Sequence, residues 1–139
     1  MLFSKDKNSK MEEVRRFSSV SASSEFEIVT PHIANAERDY LVPVIGNDLY
    51  QLLSVFYNTE FHYDLDDKEK KTVHLLTLVR SAVIHIAYWI GFDILNSVIT
   101  DTGFKRTEST TVKGLYKYQE ENLKNYLRTS GFNGFYKVL

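Results

Sequence analysis

From Val73 onward apolar side chains recur at steps of three and four: Val73, Leu76, Val79, Val83, Ile86, Ile90, Ile94 and Val98. That spacing marks one face of a helix. A second row, Leu75, Leu78, Ala82, Tyr88 and Leu95, widens the stripe until the segment is apolar on most sides. Asp66 and Asp67 stand just before it, and either can cap its first turn. Gly103, in Thr100-Asp101-Thr102-Gly103, can take the left-handed conformation that ends helices. The pattern predicts one long helix over 68–100, about 33 residues and ~50 Å, with the remaining helices packed around it. Gly91 inside it implies a kink or a close helix contact. Arg80, His85 and Asp93 interrupt the apolar run, which argues against a membrane span of ~20 apolar residues.

The flanking segments carry the same helical period. Thr30 is positioned as a cap with Pro31 at the first helical position. Ile33, Ala36, Glu37, Tyr40 and Val44 then share a face. Pro43 should end or kink that helix near Leu41. Ile45-Gly46-Asn47-Asp48 reads as a turn, with Asn47 or Asp48 capping a helix that places Leu49, Leu52, Leu53 and Phe56 on one side. After 103 the alternation of Phe104, Arg106 and Glu108 with Lys105 and Thr107 allows a short strand or hairpin arm. A last helix follows, with Val112, Leu115, Tyr116, Leu123, Tyr126 and Leu127 on one face, ending at Ser130-Gly131.

The two ends differ from this frame. Residues 1–25 hold a charged tract, a possible short helix at Met11–Phe17 and the Ser-rich run SSVSASSE. They read as a flexible arm, either disordered or ordered against a neighbouring subunit. Residues 131–139, GFNGFYKVL, read as a tail that docks on the core or waits for a partner. The expected organisation is a mainly α domain of four to five helices over 26–130, with an extended N-terminal arm and a C-terminal tail, and the alternation after 103 allows a short β arm or hairpin.

Composition narrows the classes. The 139 residues are 43% hydrophobic, which supports a single folded core. The formal charge of −1 gives no field to attract nucleic acid or an acidic membrane. Without Cys there is no disulfide framework or thiolate chemistry. The start, MLFSKDKNSKMEEVRR, lacks the apolar core of a signal peptide, so an intracellular protein, or one assembled inside a cell, is expected.

Candidate chemistry is sparse. His74 and His85 lie ~16 Å apart along one helix, too far to share a metal. His85 reads as a core residue with one satisfied hydrogen bond. Asp93 reads as the partner of a Lys, Arg or Tyr on a neighbouring helix. The acidic group Asp64, Asp66, Asp67 and Glu69 lacks the Gly of a calcium loop. No phosphate-cradling loop occurs, and no cofactor is expected. The anomaly is aromatic: Phe56, Tyr57, Phe61, Tyr63, Tyr88, Trp89 and Phe92 suit either a bulky core or subunit interfaces.

Residues 33–53, IANAERDYLVPVIGNDLYQLL, carry a recognisable pattern. A helix with the pair Ala36-Glu37 runs into Pro43 and Ile45-Gly46, and Leu49-Tyr50 opens a second helix. The chain thereby resembles the head–tail connector, or adaptor, proteins of tailed phages. A long helix at Ala82–Leu95, the turn Asp101-Thr102-Gly103 and the helix Val112–Leu127 extend the likeness across about residues 26–130. The resemblance implies a structural protein of the virion, assembled in the host cytoplasm, with no enzyme activity. It implies a ring, commonly of twelve copies, seated between the portal and the tail or further adaptor proteins. DNA would pass through without sequence-specific binding, and no membrane would be involved.

On that basis the candidate partner-facing residues are Phe17 and Phe26 in the arm, Phe104 and Arg106 in the connecting loop, and Phe135 and Tyr136 in the tail, because apolar anchors supply most interface energy. Two other classes predict different behaviour. A small helical nucleic-acid-binding regulator would bind DNA in a salt-sensitive way. A small enzyme using Asp93 and His85 would lose activity on Asp93→Asn with its fold intact.

Overall fold

A computed structural model describes residues 1–8, 10–17, 25–59, 65–95 and 110–138, with side chains in the last helix described from 117. The expected β arm, Phe104, Arg106 and the Ser-rich run 18–24 lie outside the described residues, which contain no strand. The fold is mainly α, as the periodicity predicts. In chain order the elements are a 3-10 turn at Asp6–Asn8, α1 (Glu12–Arg15), α2 (Phe26–Ala36), a π-helical turn at Glu37–Leu41, α3 (Val42–Ile45), α4 (Asn47–Asn58), α5 (Asp67–Ile90) and α6 (Thr110–Val138).

Helix α5 is the centre, and α6 and α2 make its main contacts. Of the two candidate caps, Asp66 serves: its Oδ1 accepts from the Glu69 amide at 2.7 Å. Leu76, Val79, Ala82, Val83, Ile84, Ile86, Ala87 and Tyr88 are all buried, so the second half of the helix is enclosed on nearly every side. The helix stops at Gly91, short of the expected 100. A Cβ on Gly91 would stand 2.5 Å from the His32 ring, so α2 crosses α5 at close range here. Residues 92–95 are helical again, with Phe92 and Leu95 buried and Ile94 59% exposed, so past Gly91 the covered side runs through Leu95 rather than Ile94. Among the described residues, α5 is the one helix long and apolar enough to cross a membrane by length and composition. Half of its apolar window is buried inside the fold.

Helix α2 starts a turn earlier than the Thr30-Pro31 signal suggests. Phe26, Val29, Ile33 and Ala36 form its buried face, and Phe26 is reached only if the helix begins there. Thr30 donates its hydroxyl to the Phe26 carbonyl at 2.7 Å instead of capping. Before Pro43 the chain widens into the π turn rather than ending. Wider i→i+5 bonding suits a place where proline removes a donor and its ring would crowd a carbonyl. Gly46 then turns the chain with φ 85° and ψ 156°, a region open essentially to glycine alone. Neither Asn47 nor Asp48 caps α4; Gly46 occupies the cap position without a side-chain bond. The expected inward row of α4 is also rotated: Leu53 and Tyr57 are buried, while Leu52 is 56% exposed.

Helix α6 runs through Ser130-Gly131 to Val138, so the expected tail is its last two turns. A Cβ at Gly131 would lie 2.5 Å from Ile86 Cδ1, and one at Gly134 2.8 Å from Ala82 Cβ. These glycines are where α6 meets α5, not where it stops. The first seventeen residues are likewise part of the domain: Leu2, Phe3, Met11 and Val14 are among the most buried side chains. Asn8 fastens that segment, its Nδ2 donating to the Ser4 carbonyl and its Oδ1 accepting from the Glu13 amide.

Candidate interaction surface

Two polar clusters attach the N-terminal segment. In the first, Arg80 of α5 pairs with Glu13 of α1, and the Tyr57 hydroxyl of α4 donates to Glu13 at 2.8 Å. The Ser4 amide donates to the same hydroxyl at 2.9 Å. The Arg80 Nε has no acceptor. Aromatic faces surround it, with Phe3, Tyr57 and Phe17 at 4.5, 4.8 and 5.4 Å from the guanidinium carbon. Burial holds the Arg80 guanidinium down to about 10. It also raises the Tyr57 phenol above its ordinary value.

In the second, Glu37 accepts from the Leu2 amide at 2.7 Å and from the Tyr50 hydroxyl at 3.0 Å. Burial raises the Glu37 carboxyl above its ordinary value, opposed by the Leu2 amide, the terminal amine and Tyr50. The Tyr50 phenol is pushed up to about 12, first by burial and then by the Glu37 charge. In both clusters a carboxylate of one segment is held by groups from other segments of the same chain, Glu13 by Arg80 and Tyr57 and Glu37 by Leu2 and Tyr50.

The residues considered for chemistry separate. His85 is buried, and its Nδ1 lies 2.6 Å from the Ser81 carbonyl. A carbonyl only accepts, so Nδ1–H donates, giving the single hydrogen bond expected of a core histidine. Asp93 has the expected cation on a neighbouring helix, Lys124 of α6 at 3.8 Å, but its side chain is 88% exposed rather than buried. His74 is exposed on α5. Among the described residues no three His, Cys, Asp or Glu side chains are grouped as metal ligands.

The candidate partner-facing residues also separate. Phe17 is half-buried, edge-on to Phe3 with ring centroids 6.3 Å apart. Phe26 and Phe135 are packed in the chain's own core, at 5% and 4% exposure. Helical continuation of 131–138 rolls Phe135 inward and leaves Tyr136 out, 76% exposed. Much of the aromatic surplus is internal. Tyr40, Trp89 and Phe132 form a mutual edge-on cluster with centroids 5.8–6.1 Å apart, joining the π turn, α5 and α6. Arg128 covers it from outside, 5.9 Å from the Trp89 centroid. Phe61 and Tyr63 lie outside the described residues.

Apart from Tyr136, the outward-facing apolar and tyrosine side chains were not among the residues singled out as partner-facing by the sequence pattern. On α4, Leu52 and Val55 are 56% and 66% exposed; on α6, Tyr118, Tyr126 and Tyr136 are 65%, 58% and 76% exposed. Beside Tyr136 a shallow groove of about 390 Å³ is lined by Tyr40, Pro43, Val44, Phe132 and Phe135, with Asp39 at its rim. Concave apolar sites of this kind accept an anchor side chain from a partner. In the sequence, Tyr118, Tyr126 and Tyr136 share one side only when the helix is continued past Gly131.

No family model matches the chain, and neither a curated protein nor a solved structure matches it.

Proposed function

We propose that this chain is a structural protein of a tailed-phage virion, a head–tail connector that forms a ring between portal and tail. The observation that carries the reading is the segment on which the resemblance rests. Ala36-Glu37, Pro43, Ile45-Gly46 and Leu49-Tyr50 make one bracket in the fold. Glu37 accepts the Tyr50 hydroxyl at 3.0 Å across the proline–glycine turn, and Gly46 holds the positive φ that the turn requires. Two residues of the motif, Glu37 and Tyr50, are therefore joined directly across the turn. Exposed apolar and tyrosine side chains on α4 and α6 supply surface that assembly would cover.

The test is the mass of the purified protein in solution, alone and mixed with a phage portal protein. A closed multiple of the single-chain mass, or a stoichiometric complex with the portal, is expected. A single copy under both conditions overturns the reading.

A further inference from the structure

Residues 1–17 meet the rest of the chain as a separable unit. They carry bonds of their own: Asn8 Nδ2 donates to the Ser4 carbonyl, the Met11 and Glu13 amides donate to Asn8, and Phe3 stands edge-on to Phe17. The body supplies a seat built of side chains from four elements. Glu37 of the π turn accepts from the Leu2 amide, Tyr57 of α4 bonds Ser4 and Glu13, Arg80 of α5 pairs with Glu13, and Glu27 of α2 pairs with Lys5. Among the described residues no backbone–backbone hydrogen bond crosses from 1–17 to the body. The seat is nonetheless closely filled. Leu2, Phe3, Met11 and Val14 are at most 2% exposed, and Glu37 and Tyr57 are each 3% exposed. An empty seat would open a carboxyl, a phenol and a guanidinium together with the apolar surface beside them, so the body requires such a segment.

We infer that in an assembly this seat takes residues 1–17 of a neighbouring copy, each copy filling the next one's seat and having its own filled in turn. The inference rests on the ring reading above for the supply of neighbours. The contacts are the same whether the segment comes from the same chain or another, so exchange sacrifices no interaction. Only the connection differs. A short tether confers an effective concentration on the order of millimolar, which keeps the segment on its own body in dilute solution. Inside an assembly a neighbour's seat is at a comparable concentration, provided the connection reaches it. The eight steps from Phe17 to Glu25 span at most ~27 Å, which sets the distance within which that seat must lie. The Glu13–Arg80 pair decides which segment is accepted. It contributes little net stability, but a segment without an acid at that place leaves Arg80 covered and unpaired. The seat therefore selects this segment and is indifferent to the copy that carries it.

Lys5 and Glu27 pair across the boundary at 76% and 71% exposure, and the chain has no cysteine, so thiols introduced there report on the segment without disturbing the core. Full-length copies carrying Lys5→Cys and copies carrying Glu27→Cys are unfolded and refolded as a mixture, and the assembled fraction is treated with a short bis-maleimide. Two-chain products should exceed those from either variant alone. Copies carrying both substitutions should give products of several chains rather than single chains closed on themselves. A second pair of variants reads the seat itself. Glu13→Arg and Arg80→Glu each set like charges together, and each should lower the melting temperature. Refolded together, the segment of each matches the seat of the other, and the mixture should melt above either alone. A mixture that melts as its two components do overturns the exchange. So does an assembled mixture with no excess of two-chain product, with the double variant closing on itself; the ring reading then stands. If the unsubstituted chain stays a single copy alone and with portal, the ring reading and the exchange fall together.

Discussion

The Arg80 guanidinium pairs with the Glu13 carboxylate where both side chains are almost covered, at 12% and 10% exposure. Sixty-seven positions separate them (80 − 13), so the pair fastens the N-terminal segment to the central helix. A buried pair contributes little net stability, but breaking it leaves an uncompensated charge. Arg80→Ala and Glu13→Ala are each expected to cost about 3–5 kcal/mol in urea unfolding. Arg80→Met combined with Glu13→Gln should lie well above either, because both charges leave together. Single losses below about 1 kcal/mol would mean the pair behaves as an exposed surface bridge.

Glu37 gives stability a pH dependence. Burial raises its carboxyl in the folded chain above the ordinary value of 4.5. A carboxyl raised on folding binds its proton more readily in the native state. Its contribution is therefore fully present below 4.5 and is lost as pH rises through the higher folded value. Glu37→Gln removes this dependence while its amide can still accept from Leu2 and donate to Tyr50. Thermal unfolding of the two chains between pH 7 and 4.5 should show the unsubstituted chain gaining on Glu37→Gln as pH falls. A constant gap across that range would mean that Glu37 titrates alike in both states.

Glycine substitutions should separate contact from conformation. At Gly134 an added methyl would stand 2.8 Å from Ala82 Cβ and 3.2 Å from its Cα, atoms that cannot rotate away. Gly134→Ala should cost about 1–3 kcal/mol from overpacking, partly offset by the ~1 kcal/mol helix preference of Ala over Gly. At Gly46 nothing lies within 4 Å, so Gly46→Ala should destabilise through backbone strain alone, by about 1–3 kcal/mol. A second substitution enlarging the space at residue 82, Ala82→Gly, should rescue Gly134→Ala and leave Gly46→Ala unchanged.

The two adjacent leucines of α4 should differ sharply. Leu53 is fully buried and Leu52 is 56% exposed. Leu53→Ala should cost about 2–5 kcal/mol, and Leu52→Ala should stay within about 0.5 kcal/mol. Denaturant unfolding of dilute protein, where assembly does not contribute, measures both. Equal losses would mean that the α4 rotation described above is wrong.

Periodicity determined a good deal about this protein by itself. A run of apolar residues at three and four spacing, preceded by an aspartate cap, is sufficient to define α5 as a helix, a local property, and its apolarity on most sides requires other elements to cover it. The turn at Ile45-Gly46 was legible for a similar reason, because proline and glycine restrict the backbone wherever they stand, but the Glu37–Tyr50 bond that braces it was not. Three decisions needed the neighbours. Gly131 is a stop signal in isolation, but close contact with Ile86 keeps it inside α6. Residues 1–17 look like a solvated arm, but Glu13, Arg80 and Tyr57 satisfy one another only when brought together across the fold. Leu52, Leu53 and Phe56 read as one inward row, but α5 covers the Leu53 side of α4 and not the other. Which helix face is inward depends on the direction from which another helix approaches, and that direction is written in no single segment.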